Sequence, residues 1–236
     1  MTCTKEKCNF KSGIYTKNYG EVRRKKMEEY HKIETLFERD EKTKKLIEGK
    51  FRNETVEFLK DVKWQFTEKI DGTNIRVIWD GHKVSFAGRT DKAQIPAELT
   101  NRLVELFGGE VNEQLFEQKF GEIPVMLCGE GYGKGIQKGG LYKDSQDFIL
   151  FDVKIGGNWQ PRESVENIAK YFGIDVVPIV LEGTIQDGVE FVKAQPMSKI
   201  GTAKSEGLVG RPLVELRDRC THRLIVKIKV NDFEEK

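Results

Sequence analysis

Lys69 stands in the string WQFTEKIDGTNIRVIWDG, residues 64–81, two residues ahead of Asp71 and close to a Gly-Thr-Asn stretch. A lysine amine can attack the α-phosphorus of a nucleotide, but only when unprotonated, and a free lysine titrates near a pKa of about 10.4. Cationic neighbours and partial desolvation depress that value. Lys227 and Lys229 of IVKIKV would supply such neighbours. Two residues apart, they project from one face of a strand. The same two cations would hold the phosphate and stabilise the charge that builds during in-line displacement. A divalent ion, Mg²⁺ or Mn²⁺, would screen the triphosphate and help pyrophosphate leave, with Glu206 of EGLV orienting the ion or its waters. Each string has a plainer reading when taken alone. A turn lysine beside a turn aspartate, an acid at a strand end (Glu130 in CGEGYG) and a strand with a wet charged face are all common.

These residues need elements to position them. KIETLFERDEKTKKLIEGKF reads as two extended pieces around the turn Asp40–Thr43, and NETVEFLKDV as a helix capped by Asn53. From Trp64 the period becomes two. KWQFTEK and NIRVIWDGHKVSFAGRT read as strands, with Lys69 at the mouth of a hairpin and Asp80-Gly81 as a two-residue turn. AELTNRLVELFGGEVNEQLFEQKFG returns to helical spacing, with Leu99, Leu103, Leu106 and Phe107 on one stripe. Strands PVMLCGEGYG and DFILFDVKIG follow, then helices PRESVENIAKYFGI and GVEFVKAQP. The last strands are SEGLVGRPLVEL and RLIVKIKV. Strands joined by short turns, with helices between groups of them, predict an α+β fold of mainly antiparallel sheets with flanking helices. A charged helix is expected within EVRRKKMEEY, as a solvated face.

Composition narrows the class. With 38% hydrophobic and 33% charged residues over 236 positions, the chain reads as a soluble globular protein with a highly charged surface. A net charge of +2 neither demands nor excludes a nucleic-acid partner, because the clustering of the cations decides that. Four cysteines give no zinc-ligand spacing beyond the isolated Cys3/Cys8 pair, and no long apolar run or signal peptide is present. Reduced thiols in a cytoplasmic protein are the expectation, with no membrane contact. GYGKGIQKGG lacks the spacing of a nucleotide-binding P-loop; it reads as a solvated loop or, alternatively, as a flexible one that closes over nucleotide or contacts polynucleotide backbone through Lys134 and Lys138. His31, His82 and His222 form no triad or metal spacing.

In order, the strings KxDG, acid at a strand end, FILFD, EGLV and KxK resemble the covalent nucleotidyltransferase superfamily of ATP-dependent ligases and mRNA capping enzymes. EKIDGTN followed by Arg89 of FAGRT resembles its RNA-ligase branch, which includes the nick-sealing enzyme of phage T4 and trypanosome editing ligases. The resemblance runs from Glu68 to Lys229. It implies a nucleotidyltransferase fold, related to ATP-grasp, and an enzyme that forms lysyl-AMP at Lys69. AMP would then pass to a 5′-phosphate RNA end, which is sealed to a 3′-hydroxyl in a nicked duplex or broken loop. By the same resemblance Glu68 recognises adenine, Ile70 joins the nucleotide site, and Asn74 and Arg89 engage ribose or phosphate. Glu130 binds ribose hydroxyls as an acceptor-only carboxylate, and Phe151 stacks on the purine in preference to Phe148. Asp71 positions Lys69 or the metal, and Asp152 joins Glu206 as a metal ligand.

Departures are visible. Asp71 stands where the T4-type pattern commonly has His, Thr67 where it has a basic residue, and Arg211 where relatives often place lysine. Residues 1–60 are expected to pack as an N-terminal segment on an adenylyltransferase core at 61–236, without a C-terminal OB or helical domain. That economy predicts efficient self-adenylylation by a monomer, and weak sealing unless an accessory RNA-binding partner adds grip. The alternatives are a DNA-ligase-like or GTP-dependent nucleotidyltransferase, or a non-catalytic nucleotide- or RNA-binding module on the same fold.

Overall fold

The computed structural model describes residues 29–234. The charged helix expected within residues 21–30 lies outside them except for Glu29 and Tyr30, which are not helical, and so do Cys3 and Cys8. In chain order the elements are β1 (Glu34–Thr35), β2 (Phe37–Arg39), β3 (Leu46–Phe51), α1 (Glu54–Phe58), β4 (Trp64–Glu68), β5 (Thr73–Trp79) and β6 (Val84–Gly88). Then come α2 (Ala97–Phe107), α3 (Gly109–Phe120), β7 (Val125–Tyr132), β8 (Asp147–Ile155), β9 (Asn158–Trp159) and α4 (Arg162–Phe172). The chain continues with β10 (Asp175–Val176), β11 (Ile179–Gly183), α5 (Ile185–Lys193), β12 (Gly207–Pro212) and β13 (Val226–Lys229). No helix among the described residues is long and apolar enough to cross a membrane.

Two sheets carry the fold, as the α+β expectation requires. A five-stranded sheet has the order β1-β13-β12-β4-β11, and a six-stranded sheet runs β10-β8-β7-β5-β6 with β9 on β8. Pairing is antiparallel except at β1–β13 and β10–β8. Each sheet buries one face under helices. Ile75, Val77, Trp79, Leu127 and Leu150 of the larger sheet pack with Leu103, Phe107 and Phe116 of α2 and α3 and with Val165 of α4. Trp64, Phe66, Leu208, Val226 and Ile228 of the smaller sheet pack with Val189 and Val192 of α5. Phe66 fits because Gly188 and Gly210 face its ring, where an added Cβ would come within 2.7 and 2.5 Å. Because β1 pairs with β13, chain before residue 61 shares the sheet that leads to Lys69.

Three local readings are corrected. β4 and β5 do not form a hairpin: β4 lies in the smaller sheet and β5 in the larger, so Lys69–Gly72 crosses between sheets. Alternation marks a strand but not its partner. The β5–β6 turn has Gly81 (φ +104°) and His82 at its tip rather than Asp80-Gly81. Asp80 instead closes the turn, its carboxylate accepting from the His82 and Lys83 amides at 2.9 and 2.8 Å. The long helical stretch is two helices, broken where Gly108 is extended (φ −91°, ψ 167°) and Gly109 has φ +79°. Asn112 stitches the break by donating to the Glu105 and Gly108 carbonyls.

Candidate active site

The loop after β4 delivers Lys69 to the start of β12. Its amide donates to the Gly207 carbonyl at 2.9 Å, and its Nζ lies 2.5 Å from Glu206 Oε2. Lys229, at the end of β13, places its Nζ 2.5 Å from the other oxygen, Oε1. One carboxylate therefore bridges two amines from different strands. Gly207 permits this closeness. It has φ +149°, and an added Cβ would sit 2.0 Å from the Ile228 carbonyl oxygen, so EG followed by an apolar residue has a steric reason here. Lys227 faces the same cleft two residues before Lys229. Burial first, then the charges of Lys229 and Lys69, hold its amine below the ordinary lysine value.

The opposite wall comes from the larger sheet, where Asn74 of β5 is paired with Glu130 of β7. Gly72 lets this wall close on the lysine loop. A Cβ there would meet the Gly131 carbonyl oxygen at 2.3 Å and Glu130 Cγ at 2.8 Å. Gly72→Ala is expected to cost about 1–3 kcal/mol in a urea melt, the usual range for forced overpacking, and to displace Glu130. A melt like that of the parent would refute this packing account.

Glu130 is not the acceptor-only carboxylate of the sequence reading. Burial pushes it up to about 8; Lys69 opposes the rise, while Glu206 and Asp71 add to it. At neutral pH it therefore holds a proton and can donate as well as accept. The folded value is raised above the unfolded one, so the folded state binds the extra proton and this contribution is lost as pH rises from about 4.5 to about 8. Glu130→Gln is expected to flatten that part of the stability–pH curve, measured as Tm from pH 5 to 9. An unchanged slope would show that Glu130 is an ordinary carboxylate.

Glu68, Ile70, Val177, Phe151 and Val209 line the same cleft, of about 370 Å³. Glu68 is buried; one oxygen accepts the Lys199 amide at 2.8 Å, and Oε1 has no partner. Asn74 Oδ1 is likewise buried and unpartnered. A buried acceptor without a donor is costly, so both sites suit a ligand that brings hydrogen-bond donors. Phe151 borders the cleft, whereas Phe148 packs against Phe107 in the core. Arg89 is exposed at the rim. Buried Arg76 fixes its loop, bonding the Gly88 carbonyl at 2.8 Å and Asp91 at 2.9 Å on either side of it.

Asp152 is placed elsewhere, and its assignment as a metal ligand is corrected. It is fully buried, 2.5 Å from Arg223 and 3.5 Å from Arg211, and it accepts the Tyr30 hydroxyl at 3.0 Å. Arg223 and Arg211 already balance its charge, and it does not line the cleft. Glu206, Glu130 and Asp71 are the carboxylates that do gather, near enough for the latter's charge to be felt at Glu130. Glu206 is the carboxylate that could hold a divalent ion, completed by water and phosphate oxygens, once Lys69 or Lys229 gives up one of its oxygens; Glu130 and Asp71 add carboxylates near it. Asp218, Cys220 and His222 form a tighter trio on an exposed turn, outside the cleft.

Sequence reasoning missed the wall formed by Tyr30, His31, Lys32 and Ile33. His31 sits there with its pKa lowered to about 4, by burial first and then by the Arg223 charge. No string around these residues distinguishes them from a polar leader. Val177 was also missed, since β10 and β11 flank Pro178 and read as loop. Val209, in contrast, belonged to the EGLV string and could have been named.

A family model described as RNA ligase matches residues 62–229, from before the lysine loop to Lys229. Among curated proteins, none matches the chain in sequence. Solved structures of similar fold include a Naegleria gruberi RNA ligase mutant with ATP and Mn, at 21% identity and TM-score 0.58, covering 76% of this chain and 52% of that one. A second mutant of that ligase, with AMP and Mn, has 20% identity, TM-score 0.59 and coverages of 76% and 53%. The same ligase with PPi has 22% identity, TM-score 0.58 and the same coverages of 76% and 53%. The chain spans about half the length of these structures.

Proposed function

The chain belongs to the RNA ligase family, and from that premise we propose that it is an ATP-dependent ligase that carries AMP on Lys69. The observation that carries this reading is the Glu206 bridge, which gathers the KxDG, EGLV and KxK strings at one point. In the first step neutral Lys69 Nζ attacks the α-phosphorus of ATP. A P–N bond forms, the bond to the β-phosphate oxygen breaks, and pyrophosphate leaves; the amine proton is shed, with Glu206 2.5 Å away to take it. In the second step an oxygen of an RNA 5′-phosphate attacks the same phosphorus and the P–N bond breaks, regenerating the lysine. In the third, a 3′-hydroxyl attacks that 5′-phosphate and AMP departs with the bridging oxygen.

Lys227 and Lys229 neutralise the phosphoryl oxygens as charge accumulates. Glu206, with Glu130 and Asp71 near it, would hold Mg²⁺ or Mn²⁺, which when bound screens the triphosphate. Neighbours holding ATP or AMP with Mn support that choice of cofactors. Glu68 Oε1 takes the exocyclic amine of adenine, Phe151 and Ile70 cover the ring, and Asn74, Arg89 and Glu130 engage ribose and phosphate. The substrate is RNA with 5′-phosphate and 3′-hydroxyl ends, in a nicked duplex or a broken loop. The enzyme works as a cytoplasmic monomer, with room for an accessory RNA-binding partner. Intact-mass measurement after incubation with ATP and Mg²⁺ should show the addition of one AMP, and GTP should give far less adduct. No mass change with either nucleotide would overturn the enzyme reading.

A further inference from the structure

Beside the cleft, two loops outside the ligase strings lie in backbone contact. The glycine-rich segment 133–143 is folded back on itself rather than open. The Lys134 amide donates to the Lys143 carbonyl at 3.0 Å, and Gln146 Nε2 donates to the Lys134 carbonyl at 3.1 Å. A Cβ on Gly133 would meet the Ser145 carbonyl oxygen at 2.1 Å. The second loop, 196–205, packs on the first. The Thr202 amide donates to the Leu141 carbonyl at 2.9 Å, and a Cβ on Gly201 would lie 2.6 Å from Tyr142 Cα. Both loops touch the site: Lys199 donates its amide to Glu68, and Tyr142 meets the backbone of Asp71.

The exposed side of this pair has the chemistry of a polyanion platform. Segments 133–144 and 196–205 hold five lysines against one acid, Asp144. Lys143 is paired with Asp147, and Lys204 bonds the Gln195 side chain at 2.7 Å. Lys134, Lys138 and Lys199 are exposed and have no ion-pair partner among the described residues. On the same two loops Leu141 and Met197 are 54% and 58% exposed. Exposed apolar side chains and unpaired cations on the same paired loops favour an interaction surface over a plain solvated loop.

We infer that the paired loops 133–143 and 196–205 bind the phosphate backbone of the RNA strand beside the reacting end, through Lys134, Lys138 and Lys199. The inference rests on the RNA-ligase reading for its occupant and on charge and continuity with the cleft for its place. Because the second loop also holds Glu68, RNA seated there braces the base pocket of the same enzyme.

The test measures binding of a 5′-phosphorylated nicked RNA duplex by anisotropy over a salt series, for the parent, for K134A/K138A/K199A, and for K42A/K45A/K60A, which removes three lysines outside both loops. The triple-loop variant should bind at least about tenfold more weakly. The slope of log K against log salt should be shallower by about 2 to 3, near 0.9 for each phosphate that is no longer neutralised. The control should keep the parent slope. Equal losses in both variants would reduce the effect to net charge, and an unchanged slope in the loop variant would remove RNA from this surface; either result overturns the inference. Self-adenylylation is read on the same proteins without RNA. Its absence in the parent would defeat the ligase reading while leaving the binding result interpretable on its own.

Discussion

Lys69→Ala protein is expected to carry no AMP after incubation with ATP and a divalent ion, a loss of at least about a thousandfold in adduct formation, as befits removal of a nucleophile. Lys69→Arg should be as inactive. A guanidinium stays charged at any working pH and offers no lone pair to phosphorus. The fold should survive both changes. The side chain is 23% exposed, and Glu206, its ion-pair partner, keeps Lys229. A urea midpoint close to that of the parent would therefore accompany the missing adduct. The bond should also be labile to acid and stable to alkali, as a phosphoramidate is and a carboxyl ester is not. An adduct of normal yield on Lys69→Ala would move the nucleophile elsewhere, to Lys227 or Lys229, the amines of strand β13 that line the cleft.

Residues were legible in the sequence where the chemistry restricts their type. The proposed attacking amine, flanking cations and bridging acid admit few substitutes, so Lys69, Lys227, Lys229 and Glu206 could be named from an order of strings that resembles the nucleotidyltransferase superfamily. The structure brings Lys69 and Lys229 to the two oxygens of Glu206, with Lys227 facing the same cleft. What the sequence left hidden depends on distant partners. Asp152 following an aromatic residue looks the same whether it binds a metal or an arginine, and its partner Arg223 is 71 residues away. The crossing at Lys69–Gly72 looked like a hairpin because period two is shared by all strands, whichever sheet they join. β11 escaped notice because Pro178 precedes it and its residues are only partly buried, so no apolar rhythm stands out. The protonation of Glu130 needed three dimensions, since burial and the approach of Glu206 and Asp71 set it.

Arg223→Met should be the most damaging single change outside the proposed catalytic cluster. The Arg223 side chain is 4% exposed; it meets Asp152 at 2.5 Å and forks onto Glu215 at 2.5 and 2.8 Å. Its guanidinium also lies 4.2 Å from the centroid of the Trp159 ring. Methionine can fill much of the volume and keep the contact with Trp159, so the loss isolates the charge. Asp152, with no exposure of its own, would then keep only the Tyr30 hydroxyl and the longer 3.5 Å approach of Arg211. Stranding a buried carboxylate in this way costs about 3–5 kcal/mol, readable as a fall in urea-unfolding free energy.

The effect should reach the nucleotide as well. Tyr30 hangs from Asp152 and packs edge-on against Phe151 at 5.2 Å, so loosening the carboxylate loosens both cleft walls. KM for ATP in the adduct assay is expected to rise more than kcat falls. Adding Asp152→Asn to Arg223→Met removes the stranded charge and should recover a substantial part of the stability, since an amide is far cheaper to bury than an anion. A single variant that loses less than about 1 kcal/mol, or a double variant no more stable than the single, would mean that solvent reaches Asp152 and that packing, rather than paired charge, secures this wall.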